Sequence, residues 1–140
     1  GNVEEAFAEL QRLPEELQSL PAVQAVRLDC LMAAKDWNAA VKLAQVLCGQ
    51  WAEEPGLWLH HAYAARRCAA GSIEAAYELL APCVERFPEE WLIPYNVACY
   101  LCQMERLDEA RAMLEMARAK GGERVDTMAK NDEDLAPLNL

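Results

Sequence analysis

The sequence predicts a protein built from α-helices alone. Residues that lose little on entering a helix, among them Ala, Leu, Glu, Gln, Arg and Met, dominate the chain, whereas β-branched residues are few. Apolar residues recur at spacings of three and four, as at Leu107, Ala110, Leu114 and Ala117. No stretch alternates apolar and polar residues for long, so strands are not expected. The fold class that follows is all-α.

The sequence predicts eight helices, and pairs of residues that contain Gly or Pro mark five of the breaks along the chain. Asp36 and Ser72 are suitable N-caps, and Asp108 and Glu109 place carboxylates in a first turn, where the helix dipole favours them. Pro82 predicts a kink in the fifth helix, because proline removes one backbone hydrogen bond. The dividing pairs are Leu20-Pro21, Pro55-Gly56, Gly71-Ser72, Phe87-Pro88 and Gly121-Gly122. The helices are expected at about 2–12, 22–34, 37–50, 57–70, 73–86, 91–104, 107–119 and 123–131.

Length and charge limit the classes of function. The 140 residues suffice for one compact domain. With 13 basic and 23 acidic residues the net charge is -10, which disfavours binding to nucleic acid or to an anionic membrane surface. No apolar run is long enough to cross a bilayer, and no pattern of a secretory signal is present. The six cysteines are scattered through apolar helical segments, which favours reduced thiols and a cytoplasmic location.

A small residue recurs along the chain at a nearly constant interval. Ala6, Ala40, Ala76 and Ala110 lie 34, 36 and 34 residues apart, and each is followed four and then seven residues later by an apolar residue. A bulky apolar residue precedes three of them by three residues, at Trp37, Ile73 and Leu107. Helices approach closely only where a side chain is small, so this recurrence indicates a stack of similar helix pairs.

These helix pairs resemble the tetratricopeptide repeat family, whose units are helix-turn-helix pairs of about 34 residues. The clearest unit contains WLIPYNVACYLCQMERLDEARAMLEMARA. Its first helix carries Val97, Ala98 and Leu101, and its second carries Ala110, Leu114 and Ala117, where the family has its packing residues. The unit before it fits at Tyr63, Ala64, Gly71, Ala76, Leu80 and Pro88 but has Arg67 in an apolar position; the unit before that departs at Arg27 and Leu28.

The resemblance implies a right-handed α-solenoid within a single domain. It consists of an N-terminal helix or partial unit at 1–20 and three units at 21–55, 56–88 and 89–120. A polar capping helix and an acidic tail are expected at 121–140, since terminal repeats need a polar outer face. Arg67 is expected to lay its aliphatic stem across the core, although it could instead bind a carboxylate of a partner.

In that family the first helices of successive units line a concave surface that holds a peptide or a helix of another protein. The resemblance places Trp58, His61, Ala65, Cys68, Leu92, Tyr95, Cys99, Cys102, Gln103 and Met32 on this surface, and it adds Ala22, Ala25, Asp29, Ala33 and Ala69. The surface is apolar and aromatic, as in many recognition sites. The alternative is that a neighbouring helix or a second copy of the chain buries it, in which case the surface is a homo-oligomer interface.

The residues of chemical interest support a binding module better than an enzyme. Cys99 and Cys102 have the spacing of a thiol-redox or zinc pair, but no second such pair exists and both lie well inside a helix. His60 and His61 point about 100° apart on a helix and cannot chelate one ion together. The sequence therefore predicts a non-catalytic adaptor, scaffold or chaperone-like protein without a cofactor or metal, and thiol or zinc chemistry at Cys99 and Cys102 remains the chemical alternative.

Overall fold

The computed structural model describes residues 2–140, and over that range the chain is helical, with no β-strand. The all-α fold class is therefore confirmed. None of the helices within residues 2–140 combines the length and the hydrophobicity that crossing a bilayer requires. The elements are α1 (Asn2–Gln11), α2 (Glu15–Gln18), α3 (Pro21–Ala33), α4 (Trp37–Gln50), α5 (Pro55–Arg67), α6 (Ile73–Leu80), α7 (Cys83–Arg86), α8 (Leu92–Gln103), α9 (Leu107–Gly121), α10 (Glu123–Lys130) and a 3-10 helix (Glu133–Leu138).

The structure differs from the predicted helices in three places. The short helix α2 follows Pro14 and was not expected. The predicted fifth helix is two helices, α6 and α7, because the chain breaks at Pro82, which lacks the N–H that a continuous helix needs. The region expected to be an acidic tail forms the 3-10 helix, and its Leu135 and Leu138 are buried.

The chain forms two compact units, of which the first ends at Ala70 and contains α1 to α5. Its core lies where α4 packs between α3 and α5, and it is formed by Leu28, Ala40, Ala44, Leu47 and Ala64. The three alanines have no exposed surface, as expected for residues that let helices approach closely. The Asn38 side chain accepts a hydrogen bond of 2.8 Å from the Ala69 backbone N–H and ties the end of this unit to α4.

The second unit, Gly71–Leu140, is organised around α8. This helix packs against α6, α7, α9 and the 3-10 helix, which explains why its sequence, LIPYNVACYLCQ, is mostly apolar. Nine of its twelve residues are buried. Ala76 and Ala110, two of the recurring small residues, have no exposed surface, and neither has Ala117. The boundary between the two units falls inside the predicted repeat 56–88, so the division into three repeats stays a prediction.

Two helix hairpins, α3–α4 and α8–α9, close with the same turn. Lys35 and Glu105 have positive φ angles of 58° and 61°, in the left-handed region. The next backbone N–H bonds to the carbonyl five residues earlier, from Asp36 to Leu31 at 3.0 Å and from Arg106 to Leu101 at 2.9 Å. This is the Schellman pattern of helix termination. The two closures lie 70 residues apart in the chain.

Candidate functional site

The residues predicted to bind a partner are divided between the two units. Met32, Trp58, His61, Ala65 and Cys68 belong to the first unit, whereas Leu92, Tyr95, Cys99, Cys102 and Gln103 belong to the second. Their environments within each unit differ: the first unit has an open apolar groove, and the second has a surface that the chain itself covers.

The first-unit groove lies between α3 and the start of α5, with the end of α4 beneath it, and has a volume of about 530 Å³. Its apolar walls are Ala22, Ala25, Leu28, Leu47, Trp51 and Leu57. The polar groups at its rim are Asp29, Glu54 and His60. His60 is held by two contacts, from Nε2 to a carboxylate oxygen of Asp29 at 3.2 Å and from Nδ1 to the Gly56 carbonyl at 2.8 Å. No Lys or Arg lines the groove within the part of the chain that is described, so the rim is acidic.

The sequence pattern predicted some of the residues that line this groove but not others. Ala22, Ala25 and Asp29 line it, as the repeat pattern placed them. Trp51 and Leu57 were missed, because Trp51 follows the end of α4 and Leu57 lies in the first turn of α5, outside the repeat positions used. Two apolar residues beside the Pro55-Gly56 turn were the signal that could have indicated them.

The predicted binding residues of α5 do not line the first-unit groove. Trp58 is half-buried, and its indole N–H donates to the Ala52 carbonyl at 2.9 Å. Ala65 is buried, and Cys68 is half-buried with its Sγ 3.7 Å from the Ala65 carbonyl.

Met32 of α3 lies in a separate hollow, which Trp37, Tyr63 and Arg67 also line. There the Arg67 guanidinium carbon is 3.4 Å from the centre of the Tyr63 ring. The Arg67 guanidinium therefore stacks on the Tyr63 ring, whose face attracts the cation.

His61 is the most unusual polar residue of the first unit. Its side chain is buried, with 7% of its surface exposed, and its ring centre lies 6.3 Å from that of Trp58. Among residues 2–140 its Nδ1 finds no hydrogen-bond partner. Burial lowers the pKa of His61 below its usual 6.5, because an imidazolium loses its hydration there. The imidazole is therefore held neutral.

In the second unit a segment of the chain covers the predicted binding face of α8. We call residues 132–138 the Asp-Leu segment. The Tyr95 hydroxyl donates to a carboxylate oxygen of Asp132 at 2.8 Å, and the Cys99 Sγ lies 3.7 Å from that oxygen. The Gln103 side-chain amide donates to the Asp134 carbonyl at 3.0 Å. Tyr95, Cys99 and Cys102 are each no more than 3% exposed, Leu92 is half-buried, and Gln103 is exposed.

The Asp-Leu segment has local reasons to adopt this structure. Asp132 caps it, since its second carboxylate oxygen accepts from the Asp134 N–H at 3.0 Å. Leu135 and Leu138, three residues apart, share one face of the 3-10 helix and are 1% and 3% exposed. The Arg111 guanidinium of α9 donates to the Leu138 carbonyl at 3.2 Å. The spacing of the two leucines and the capping Asp were the available signals in the sequence.

The Asp-Leu segment also determines the chemistry available to the buried cysteines. Burial raises the pKa of Cys102, and nearby Asp134 and Asp132 raise it further, while Arg111 lowers it. A thiol held protonated in this way is a poor nucleophile. Cys99, Asp132 and Asp134 could each offer one metal-ligand atom, all within 4.8 Å of one another, and Cys102 does not belong to that group. Tyr95 and the backbone N–H of Asp134 bind the two carboxylate oxygens of Asp132.

No family model, curated protein or solved structure matches this chain.

Proposed function

We propose that the protein is a non-catalytic interaction module of the tetratricopeptide-like solenoid class, which binds an apolar segment of a partner protein in the first-unit groove. The observation that carries the proposal is the groove itself, which is open, lined by apolar residues, about 530 Å³ in volume and located at the junction of three helices. This volume lies within the range of about 300–1,000 Å³ that is usual for binding pockets. The shared turns of α3–α4 and α8–α9 support the repeat architecture.

The charges at the rim indicate which segment fits. Asp29 and Glu54 flank the apolar walls, no described lining residue is Lys or Arg, and the whole chain has a net charge of -10. The occupant that complements this surface is a short amphipathic helix or extended peptide with apolar side chains beside a Lys or Arg. Each large apolar side chain that becomes fully buried contributes about 1.5–3 kcal/mol before the cost of ordering is subtracted.

A role as adaptor, scaffold or chaperone-like protein in the cytoplasm is consistent with such a site. An apolar groove with an acidic rim suits the capture of exposed amphipathic segments, including those of clients that will be secreted or inserted into membranes. The main alternative is that a second copy of the chain fills the groove, which makes the groove a homo-oligomer interface.

The proposal is tested with two short fluorescein-labelled peptides of leucine and alanine that differ only in carrying lysines or glutamates at their ends. The lysine peptide should bind the protein more tightly than the glutamate peptide, because only the lysines complement Asp29 and Glu54. Ala25→Arg, which adds bulk and positive charge to the groove wall, should weaken binding by about tenfold or more. Fluorescence anisotropy measures both affinities.

Val46→Arg is the matched control, since Val46 is 55% exposed on α4 and does not line the groove. It should leave peptide binding unchanged. Equal binding of the two peptides, or equal effects of Ala25→Arg and Val46→Arg, would contradict the proposal. A concentration-dependent dimer that only Ala25→Arg disrupts would show that the groove holds a second copy.

A further inference from the structure

We propose that an open hollow on the first unit binds an acidic side chain of a partner protein together with an aromatic residue beside it. The hollow has a volume of about 720 Å³, and we call it the Arg67 hollow. It shares no lining residue with the first-unit groove, so the proposal does not depend on the function proposed for that groove. Its lining residues are Met32, Ala33, Lys35, Trp37, Tyr63 and Arg67.

Aromatic rings hold the guanidinium of Arg67 in a defined plane. Its carbon lies 3.4 Å from the centre of the Tyr63 ring and 5.7 Å from that of the Trp37 ring, and the two ring centres are 5.6 Å apart. Its Nη1 donates a hydrogen bond of 3.0 Å to the Tyr63 carbonyl. A guanidinium carries five N–H donors in a rigid fork, so this bond leaves donors for a bidentate contact with a carboxylate.

Lys35 brings a second positive charge to the Arg67 hollow. It is exposed and lies in the turn between α3 and α4, where its backbone is left-handed. Among residues 2–140, neither Lys35 nor Arg67 forms an ion pair with a carboxylate, although acidic residues outnumber basic ones by 23 to 13. The two cations are therefore available to a negatively charged ligand.

Contacts between α4 and α5 fix the walls of the hollow before any ligand binds. Trp37 is the first residue of α4, whereas Tyr63 and Arg67 belong to α5. The hydrogen bond from the Ala69 N–H to the Asn38 side chain, at 2.8 Å, ties the chain after α5 to the start of α4. A preformed site of this kind loses less conformational entropy when a ligand binds.

The charges and the lining of the hollow together define the ligand. The Tyr63 ring already carries the Arg67 cation, so a positively charged ligand is repelled. The net charge of -10 repels a polyanion such as nucleic acid far more than a short segment with one or two carboxylates. Tyr63 is 41% exposed and Met32 is half-buried, so an aromatic side chain beside the carboxylate gains contact with a ring and a thioether. The ligand is therefore an Asp or Glu with an aromatic neighbour.

The test uses short fluorescein-labelled peptides of glycine and serine that carry a central Glu-Phe, Gln-Phe or Glu-Gly pair. Fluorescence anisotropy with the whole protein should show the tightest binding for the Glu-Phe peptide. Lys35→Gln should weaken that binding about two- to fivefold, as expected for an exposed charge contact. Arg67→Gln should weaken it about tenfold or more, and Arg67→Lys, which keeps the charge but loses the fork, should weaken it as well.

Lys42→Gln is the matched control, because it removes an exposed lysine of α4 that does not line the hollow. Equal binding of the Glu-Phe and Gln-Phe peptides, or equal effects of Lys35→Gln and Lys42→Gln, would overturn the proposal. The comparison of the two exposed lysines holds even where Arg67→Gln disturbs packing.

Two further outcomes would overturn the assignment to a partner protein. One is tighter binding of a fluorescein-labelled single-stranded oligonucleotide than of the Glu-Phe peptide. The other is a concentration-dependent dimer that Lys35→Gln abolishes, which would identify a second copy of the chain as the occupant. Ala25→Arg changes the first-unit groove and Lys35→Gln changes the Arg67 hollow, so failure of one proposal is distinguishable from failure of the other.

Discussion

Two buried residues, His61 and Tyr95, occupy corresponding positions of the predicted repeats but differ in their hydrogen bonding. They lie 34 residues apart. The Tyr95 hydroxyl donates to Asp132, whereas Nδ1 of His61 has no partner among residues 2–140. Burial lowers the pKa of His61. The pKa of Tyr95 is raised, mainly by burial and also by the hydrogen bond to Asp132. Both side chains are therefore neutral in the folded protein, and each makes stability depend on pH in its own range.

His61 should destabilise the folded protein in acid. Below pH 6.5, the ordinary pKa of histidine, His61 binds a proton in the unfolded chain but not in the folded one. The contribution of neutral His61 to the free energy of unfolding is therefore fully present above that pH and is lost as the pH falls. The slope for one proton is at most about 1.4 kcal/mol per pH unit. His61→Phe should flatten the decline of the urea midpoint between about pH 7.5 and pH 5. His60→Gln, a change at the neighbouring half-buried histidine, should retain the decline; equal profiles would rule out His61 as the cause.

Tyr95 should destabilise the folded protein in alkali. The pKa of Tyr95 in the folded protein lies above the ordinary value of 10.0. The contribution of Tyr95 to the free energy of unfolding is therefore complete below pH 10 and is lost as the pH rises beyond it. Tyr95→Phe should cost about 1 kcal/mol at neutral pH, through loss of the bond to Asp132, and should reduce the decline above pH 10. Tyr63→Phe is the control, since Tyr63 is 41% exposed. Urea unfolding as a function of pH measures both effects, and identical alkaline slopes for the two variants would contradict the assignment.

At the scale of elements, the helix positions were predictable because they depend on local chemistry. Asp36 and Ser72 cap α4 and α6 as expected, accepting from Ala39 and Ala75. The break at Pro82 was predicted as a kink, and the structure has two separate helices there. The 3-10 helix was missed because its Leu135 and Leu138 are ordered by contacts with α8 and α9, which a local pattern does not reveal. The same long-range contact explains why the predicted face of α8 is covered.

The turns at Lys35 and Glu105 offer a test of element termination. Both residues hold a left-handed backbone that glycine adopts without steric cost. Lys35→Gly and Glu105→Gly should therefore each raise stability, by about 0.5–1 kcal/mol. Lys42→Gly, in the interior of α4, should instead lower it by about 1 kcal/mol. Chemical denaturation measures the three values, and a loss of stability at both turn positions would show that the lysine and glutamate side chains matter more than the backbone.

Gly121 is needed where α9, α10 and Trp91 meet. A Cβ built at this position would lie 2.6 Å from Cγ2 of Val125 and 2.9 Å from Cγ of Trp91. Gly121→Ala should therefore cost about 1–3 kcal/mol through overpacking. Gly49→Ala is the matched control, because no atom lies within 4 Å of its added Cβ in α4, and it should stabilise by about 0.5–1 kcal/mol. Thermal unfolding measures the difference, and equal effects would contradict the close packing at Trp91.

At the scale of the whole molecule, the net charge of -10 affects the stability of the folded state. Mutual repulsion of the acidic residues destabilises the compact state, and salt screens it. The melting temperature should therefore rise between about 20 mM and about 500 mM NaCl. Differential scanning fluorimetry measures the change. A melting temperature that falls with salt would show that attractive pairs such as Arg118 with Asp126, at 3.1 Å, outweigh the repulsion.

The accessibility of the six cysteines to a thiol reagent can report local opening in each unit. None of them forms a disulfide bond, and all but the half-buried Cys68 are buried. Cys30 and Cys48 report on the first unit, and Cys83, Cys99 and Cys102 report on the second. An alkylating reagent can modify a buried thiol only when the surrounding structure opens. The order in which the thiols gain mass therefore shows which unit opens more readily. Cys99 lies directly beneath Asp132, and alkylation is irreversible, so the rate at which Cys99 gains mass in a population of molecules should report how readily the Asp-Leu segment lifts away.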